Sequence, residues 1–354
     1  MVLGAAAECE SVQPILVRIP IPWTDWAITL YGYGAMLCLG FLAAILVAAR
    51  RAQRLGQPPD VIYNCALLAF LGGVFGARLF YIVQYREHFT SIWSLVAIWE
   101  GGLTYYGGLV LATAAVVAYL AASRLPVLFW LDAIAPSLPL GLAFGRIGCF
   151  LNGCCYGARC DLPWGLAWPV GSIPWFAYAD THLASLGAQA TGAGEGPYGA
   201  VMGALAAVWR VPHLHPSQVY AIVNALLLFG VLQVMFRHKR RHGQMILAFA
   251  VLYGVSRFLM EFLRSDEAAI YLLGLPTLLR ALGHEAAGAR LGGLTISQNV
   301  AVVIVAAAAG ALALLGRSAR REWQAAYVPP APAVRGSDRP DGRKHPKPRK
   351  GKHG

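Results

Sequence analysis

Residues 244–263 read QMILAFAVLYGVSRFLMEFL. At about 1.5 Å per residue such a helix is as long as a hydrocarbon core is thick, about 30 Å. Its only charges are Arg257 and Glu261, which stand four apart on one helical face. On a wet surface that spacing contributes only tenths of a kcal/mol. At membrane depth each ion alone costs several kcal/mol, so the two are read as a pair. The stretch predicts a membrane-crossing helix with an internal ion pair. The pair is either a structural bolt between helices or an arginine that holds an anionic headgroup and is oriented by the glutamate. The second role suits Arg, whose fork donates two parallel hydrogen bonds to phosphate. Arg264 follows at the end of the segment.

Six more apolar segments lie outward from this one, at roughly 26–49, 62–84, 103–122, 126–145, 217–236 and 298–316. The whole chain of 354 residues is 57% apolar and 13% charged, where soluble domains carry roughly 25% charged residues. The expected fold class is an all-α integral membrane protein of about seven transmembrane helices. Pro136 and Pro139 predict a kink in the fourth. Basic clusters follow the odd segments: Arg50, Arg51 and Arg54; Arg124; Arg237, Lys239, Arg240 and Arg241; Arg317, Arg320 and Arg321. The positive-inside rule then puts the N-terminus in the periplasm and the C-terminus in the cytoplasm.

Residues 1–25 read as an N-terminal periplasmic segment without the pattern of a cleaved signal peptide. Residues 26–317 read as the membrane domain, with a long outer insertion over 146–214 and a shorter one over about 265–297. Residues 318–354 read as a basic, disordered cytoplasmic tail. Trp164, Trp168, Trp175, Tyr178 and Trp209 predict that the long insertion rests at the headgroup level. The net charge of +12 is scattered over several loops, which suits topology and argues against nucleic-acid binding.

Several constellations are candidates for chemistry. Residues 145–157 read GRIGCFLNGCCYG, placing Arg146, Asn152 and three cysteines where an apolar segment ends. Arg78 follows a run of glycines well inside the second segment. Residues 100–109, EGGLTYYGGL, combine Glu100, Gly101, Gly102, Gly107 and Gly108 with Tyr106. Glycines this dense make poor helix and predict a broken opening to the third segment. His215, Pro216, Ser217 and Gln218 open the fifth, where proline and serine suit a helix start. His215 is either an interfacial residue or a base.

Cys38 and Cys65 lie in apolar segments and read as small core residues. Cys149, Cys154, Cys155 and Cys160 follow neither a standard zinc spacing nor a CxxC pair. On an oxidising outer side the cluster suggests one or two structural disulfides. A metal site and a redox or nucleophilic role are the alternatives.

Taken in order, these stretches resemble the prolipoprotein diacylglyceryl transferases of bacterial inner membranes, from about Tyr31 to Gln298. The elements are Tyr33 in Tyr-Gly-Tyr-Gly-Ala-Met, Arg78 after its glycines, Trp99 to Gly102 leading to Gly107-Gly108-Leu109, and Gly145 to Gly148 with Phe150 and Asn152. His215 to Gln218 with Tyr220, and Tyr253-Gly254 with Arg257 and Glu261, complete the set. The resemblance implies transfer of diacylglyceryl from phosphatidylglycerol to the lipobox cysteine of a preprolipoprotein. The implied partners are phosphatidylglycerol, preprolipoprotein signal peptides and membrane lipid, and the implied location is the inner membrane. No cofactor and no metal is expected.

On this reading Arg146, Arg257, Glu261, Tyr106 and His215 are the catalytic candidates. Tyr33, Arg78, Glu100, Gly101, Gly102, Gly107, Gly108, Asn152, Ser217 and Gln218 are the substrate-binding candidates. The chain departs from the family's usual pattern at three polar positions. Tyr106 stands where histidine is usual, Cys149 where asparagine is, and Cys154 where glutamate is. A tyrosine of ordinary pKa ~10 is a poor base at neutral pH, so Glu100 and His215 remain alternatives. A paralogous headgroup transferase with another acceptor, a membrane thiol–disulfide enzyme and a non-catalytic lipid-binding relative are competing readings.

Overall fold

The computed structural model describes residues 15–20, 27–86, 102–185, 211–264 and 294–317. Seven helices among them are long and apolar enough to cross a membrane, and the protein is an all-α, multi-span membrane protein. These are α1 (Gly32–Arg54), α2 (Asp60–Gln84) and α3 (Tyr105–Ala122). The fourth crossing is built from α4 (Val127–Ile134) and α5 (Leu138–Asn152). A short helix, α6 (Ile173–Ser185), lies in the long insertion. The last three crossings are α7 (Ser217–Arg237), α8 (Gln244–Met260) and α9 (Ile296–Arg317).

Two boundaries differ from the sequence reading. The first helix starts at Gly32, because Ala27–Tyr31 instead forms a strand, antiparallel to Ile15–Pro20. Both runs are rich in β-branched residues, which favours strand. The fourth crossing extends to Asn152, so Arg146 and Cys149 stand on helix rather than in the insertion. It ends at Gly153, whose φ of 70° closes the helix in the left-handed region where glycine is at ease. The expected kink is a 3₁₀ turn over Ala135–Ser137, around Pro136.

The described opening of the third segment is non-helical over Gly102–Thr104, and the helix starts at Tyr105. α3 runs through Gly107 and Gly108, and these glycines serve the crossing with α2. A Cβ on Gly107 would lie 2.4 Å from the Gly76 carbonyl oxygen, and one on Gly76 would lie 2.4 Å from that of Gly107. Small residues on both sides let the two backbones touch. Otherwise α1 packs on α5, α5 on α7, and α8 on α9. Cys65 is buried in the core as expected, whereas Cys38 is exposed on α1.

The fully buried Asp132 of α4 is the main polar lock. Its carboxylate accepts from the backbone amides of Gly243 (2.6 Å), Met245 (2.8 Å) and Ile246 (3.0 Å), and pairs with Lys239 at 2.7 Å. It therefore satisfies donors that the start of α8 leaves open. The lysine also sits over the rings of Phe129 and Phe236. Arg51 is a second stitch, donating to the Ala133 carbonyl at 2.6 Å and to Gln233 at 2.8 Å. A lone aspartate in an apolar run gave no sequence signal of this role.

The described part of the long insertion carries its own small core of Tyr156, Trp175, Ala179, Val211 and Leu214, flanked by Trp168 and Tyr178. Trp175 is thus a core residue rather than a headgroup aromatic. Trp164 remains exposed, in line with the interfacial reading. Trp209 lies outside the described residues.

Candidate active site

Helices α5, α7 and α8 enclose a cleft. Arg146 reaches it from α5, and Ser217 and Asn224 from α7. Tyr253 and Arg257 reach it from α8, Arg264 from just beyond α8, and Cys155 from the loop after α5. Apolar side chains including Leu142, Leu228 and Met260 complete the wall. Arg264 is not on the helix: α8 ends at Met260, a 3₁₀ turn spans Glu261–Leu263, and Arg264 follows in extended conformation. Its place at the end of the apolar segment was the available signal for Arg264, which the sequence reading left off its site.

Arg257 is held on two sides. It forms an ion pair with the buried Glu261, and its Nη2 donates to the Ser297 hydroxyl at 2.9 Å. Ser297 lies at the start of α9 and is also 3.4 Å from the Tyr106 hydroxyl. Tyr106 therefore joins the arginine through a serine that no sequence pattern singled out. The start of α9 is fixed by a reciprocal cap. The Thr295 amide donates to Gln298 Oε1 at 3.1 Å, and the Gln298 amide donates to Thr295 Oγ1 at 3.2 Å.

The cysteine loop is tied to α7. Ser217 Oγ donates to the Cys155 carbonyl at 2.5 Å, and Gln218 Nε2 donates to the Cys154 carbonyl at 2.8 Å. Cys155 has φ 59°, a left-handed conformation that costs a non-glycine residue roughly 1–2 kcal/mol. The sulfurs of Cys149, Cys154 and Cys155 lie within 4.8 Å of one another. These three and Cys160 are free thiols. Cys160 stands apart, buried in the loop, its amide bonded to the His213 carbonyl at 2.7 Å. Tyr33 packs on this corner: a Cβ on Gly148 would lie 3.1 Å from its ring. Asn152 ends α5, with its Oδ1 buried and without a hydrogen-bond partner among the described residues.

Other sequence candidates fall elsewhere. The buried Arg78 donates to the Gly102 carbonyl at 3.1 Å and lies over Tyr81, bracing the chain before α3. Gly102 itself has φ 75° and sits against the Tyr81 ring. Gly107 and Gly108 lie at the α2–α3 crossing. Glu100 and Gly101 lie outside the described residues. His215 Nδ1 is 3.3 Å from the Tyr220 hydroxyl, which also accepts from Trp164 Nε1 at 2.8 Å. Neither His215 nor any carboxylate is among the described residues lining the cleft.

The cleft thus brings three guanidinium groups together among apolar side chains, a chemistry suited to an anionic group with an apolar body. The family model described as prolipoprotein diacylglyceryl transferase matches residues 20–314. A relative from Geobacter sulfurreducens, named phosphatidylglycerol–prolipoprotein diacylglyceryl transferase, is 34% identical over 274 residues, covering 75% of this chain and 87% of that one. A relative of the same name from Clostridium tetani is 30% identical over 247 residues, covering 70% and 86%. With one pattern matched from the first strand to the last helix, and with relatives aligned over most of their own length, the chain belongs to the prolipoprotein diacylglyceryl transferase family.

Proposed function

We propose that this chain transfers the diacylglyceryl group of phosphatidylglycerol to the cysteine thiol of preprolipoproteins. The reaction takes place at the outer leaflet of a bacterial inner membrane. The N-terminus is periplasmic, and residues 318–354 form a cytoplasmic tail. The observation that carries the reading is the convergence of Arg146, Arg257 and Arg264 on one cleft walled by apolar side chains.

The chemistry asks for three things. The acceptor sulfur attacks as thiolate. The phosphate of the leaving glycerol phosphate gathers charge as its bond to carbon breaks. The two substrates meet in line. Fixed cations aimed at the leaving group meet the second need without reorganising during the reaction. Arg257 is fixed on two sides, because Glu261 and Ser297 set its fork. Arg146 faces it from α5 and Arg264 extends the cationic wall. Ser217 and Gln218 hold the loop that brings Cys155 to the same cleft.

The test is transfer by the purified full chain in vesicles containing phosphatidylglycerol, with a synthetic lipobox peptide as acceptor. The expected products are a thioether-linked diacylglyceryl peptide and glycerol phosphate. Release of glycerol phosphate without labelled peptide would move the chain to another acceptor. Absence of both products, together with failure to rescue a transferase-depleted strain, would overturn the reading.

A further inference from the structure

We infer that Cys149, Cys154 and Cys155 form a three-sulfur site for a zinc-class metal ion, open at a fourth position to the sulfur of the acceptor cysteine. The spacing along the chain resembles no standard zinc motif, so the sequence offered a metal site only as an alternative to disulfides. Folding supplies what the spacing lacks. Cys149 stands on the last turn of α5. Gly153 turns the chain back, and the Cys154 amide bonds the Cys149 carbonyl at 3.1 Å. The left-handed Cys155 then brings the third thiol to the first two. All three sulfurs lie within 4.8 Å of one another. A tetrahedral ion with zinc–sulfur bonds of about 2.3 Å spaces its sulfurs by roughly 3.8 Å, so small side-chain movements close the shell.

The surroundings suit an ion. The Cys154 and Cys155 carbonyls are pinned by Gln218 and Ser217, which fixes the loop independently of any metal. Asn152, with its buried Oδ1, closes the helix end beside the triad. Three thiolates and a divalent ion carry one net negative charge. Arg146 and Arg264, on the cleft that Cys155 lines, oppose it. Soft thiolates select zinc or copper(I) over magnesium or calcium. Three protein ligands with a vacant fourth position is the arrangement of a catalytic zinc rather than a structural one.

The fourth position answers a need of the cleft. No histidine or carboxylate is among the described residues that line it, yet the acceptor must react as thiolate. A thiol that coordinates such an ion is deprotonated outright. For its fourth ligand the inference rests on the transfer reading. The acceptor S–H gives its proton to water as its sulfur joins the three cysteines. That sulfur attacks the glyceryl carbon bearing the phosphate. The S–C bond forms, the C–O bond breaks, and its electron pair leaves on the phosphate oxygen of glycerol phosphate. Nothing is oxidised or reduced.

The experiment uses the full chain, purified with reductant and loaded with zinc alone or cobalt(II) alone. Expected are one ion per chain and a sulfur-to-cobalt charge-transfer band. Ion and band are lost in Cys149→Ser and Cys154→Ser. A lipobox peptide with cysteine should shift the cobalt d–d bands, and the same peptide with serine should not. A chelator should abolish transfer and zinc should restore it. The site is overturned by a reduced chain that takes up neither metal, by full transfer from metal-free protein, or by a disulfide joining two of the three cysteines in non-reduced protein from membranes. A cobalt spectrum blind to the cysteine peptide overturns the open fourth position. If the serine variants fail to accumulate, the cobalt spectrum and the chelator arm on the unchanged chain decide. A metal-loaded chain that responds to the peptide but moves no diacylglyceryl keeps the metal site and overturns the transfer reading instead.

Discussion

Nη2 of Arg257 donates to Oγ of Ser297 at 2.9 Å across 40 residues of sequence, so α9 fixes the side of the guanidinium that Glu261 leaves open. An arginine held on two sides keeps its remaining donors in one direction. The same contact also ties α8 to α9.

Arg257→Ala is expected to lower transfer by about a hundredfold to a thousandfold, the usual loss when one preorganised donor to a developing charge is removed. Arg257→Lys should also be poor, because an ammonium cannot reproduce the fork. Ser297→Ala removes one hydrogen bond, for a loss of about twofold to tenfold. Labelling of a lipobox peptide by equal amounts of membrane-inserted protein measures all three. Near-normal labelling by Arg257→Ala would remove it from the leaving-group role.

Asp132→Ala is expected to destabilise the fold by about 3–5 kcal/mol, because it strands Lys239 in a buried site and uncaps α8. Asp132→Leu combined with Lys239→Met should recover part of that loss, since an apolar pair asks for no desolvation of charge. Thermal unfolding in detergent reads both. Equal melting of Asp132→Ala and the parent would show that the lock carries no stability.

Gly107→Ala is expected to cost about 1–3 kcal/mol, because its new methyl would fall 2.4 Å from the Gly76 carbonyl oxygen and drive α2 from α3. Gly73→Ala is the control. A Cβ there meets nothing closer than the Ala112 Cβ at 4.0 Å. The two variants should differ in melting temperature, with Gly73→Ala close to the parent.

Burial and the neighbouring Lys239 hold His242 below its ordinary value of 6.5, with Asp132 opposing them. The folded chain thus binds a proton at His242 less readily than the unfolded chain. This stabilisation is complete above pH 6.5 and is lost as pH falls through the folded value. Melting temperature should drop below neutral pH, and His242→Phe should flatten that part of the profile. An unchanged slope in the variant would assign the acid sensitivity to other groups.

Membrane crossings were legible because twenty apolar residues have few other uses, and the Arg257–Glu261 pair because two ions at that depth need each other. Glycines misled at residues 107 and 108. Composition reports poor helix former, whereas the crossing partner Gly76, far off in sequence, decides that a helix forms and packs closely. Ser297 and Asp132 gave no signal, since one serine or aspartate looks alike whether it caps a distant helix or faces water. Trp175 was taken for a surface aromatic because its enclosing partners, Val211 and Leu214, come some 35 residues later. The cysteine triad shows the same limit: linear spacing identified no metal motif, while a helix end and two left-handed residues bring three sulfurs together.

Helix α8 is gripped at both ends. Its first amides are bonded to Asp132, and 12 residues after Met245, about 18 Å along the axis, its last turn presents Arg257. It works as a tie rod with its fittings toward opposite ends of the helix. Slack introduced at the Asp132 end becomes play in the position of the guanidinium. Substitutions at the Asp132 end, far from the cleft, therefore act as tuning screws for the position of Arg257.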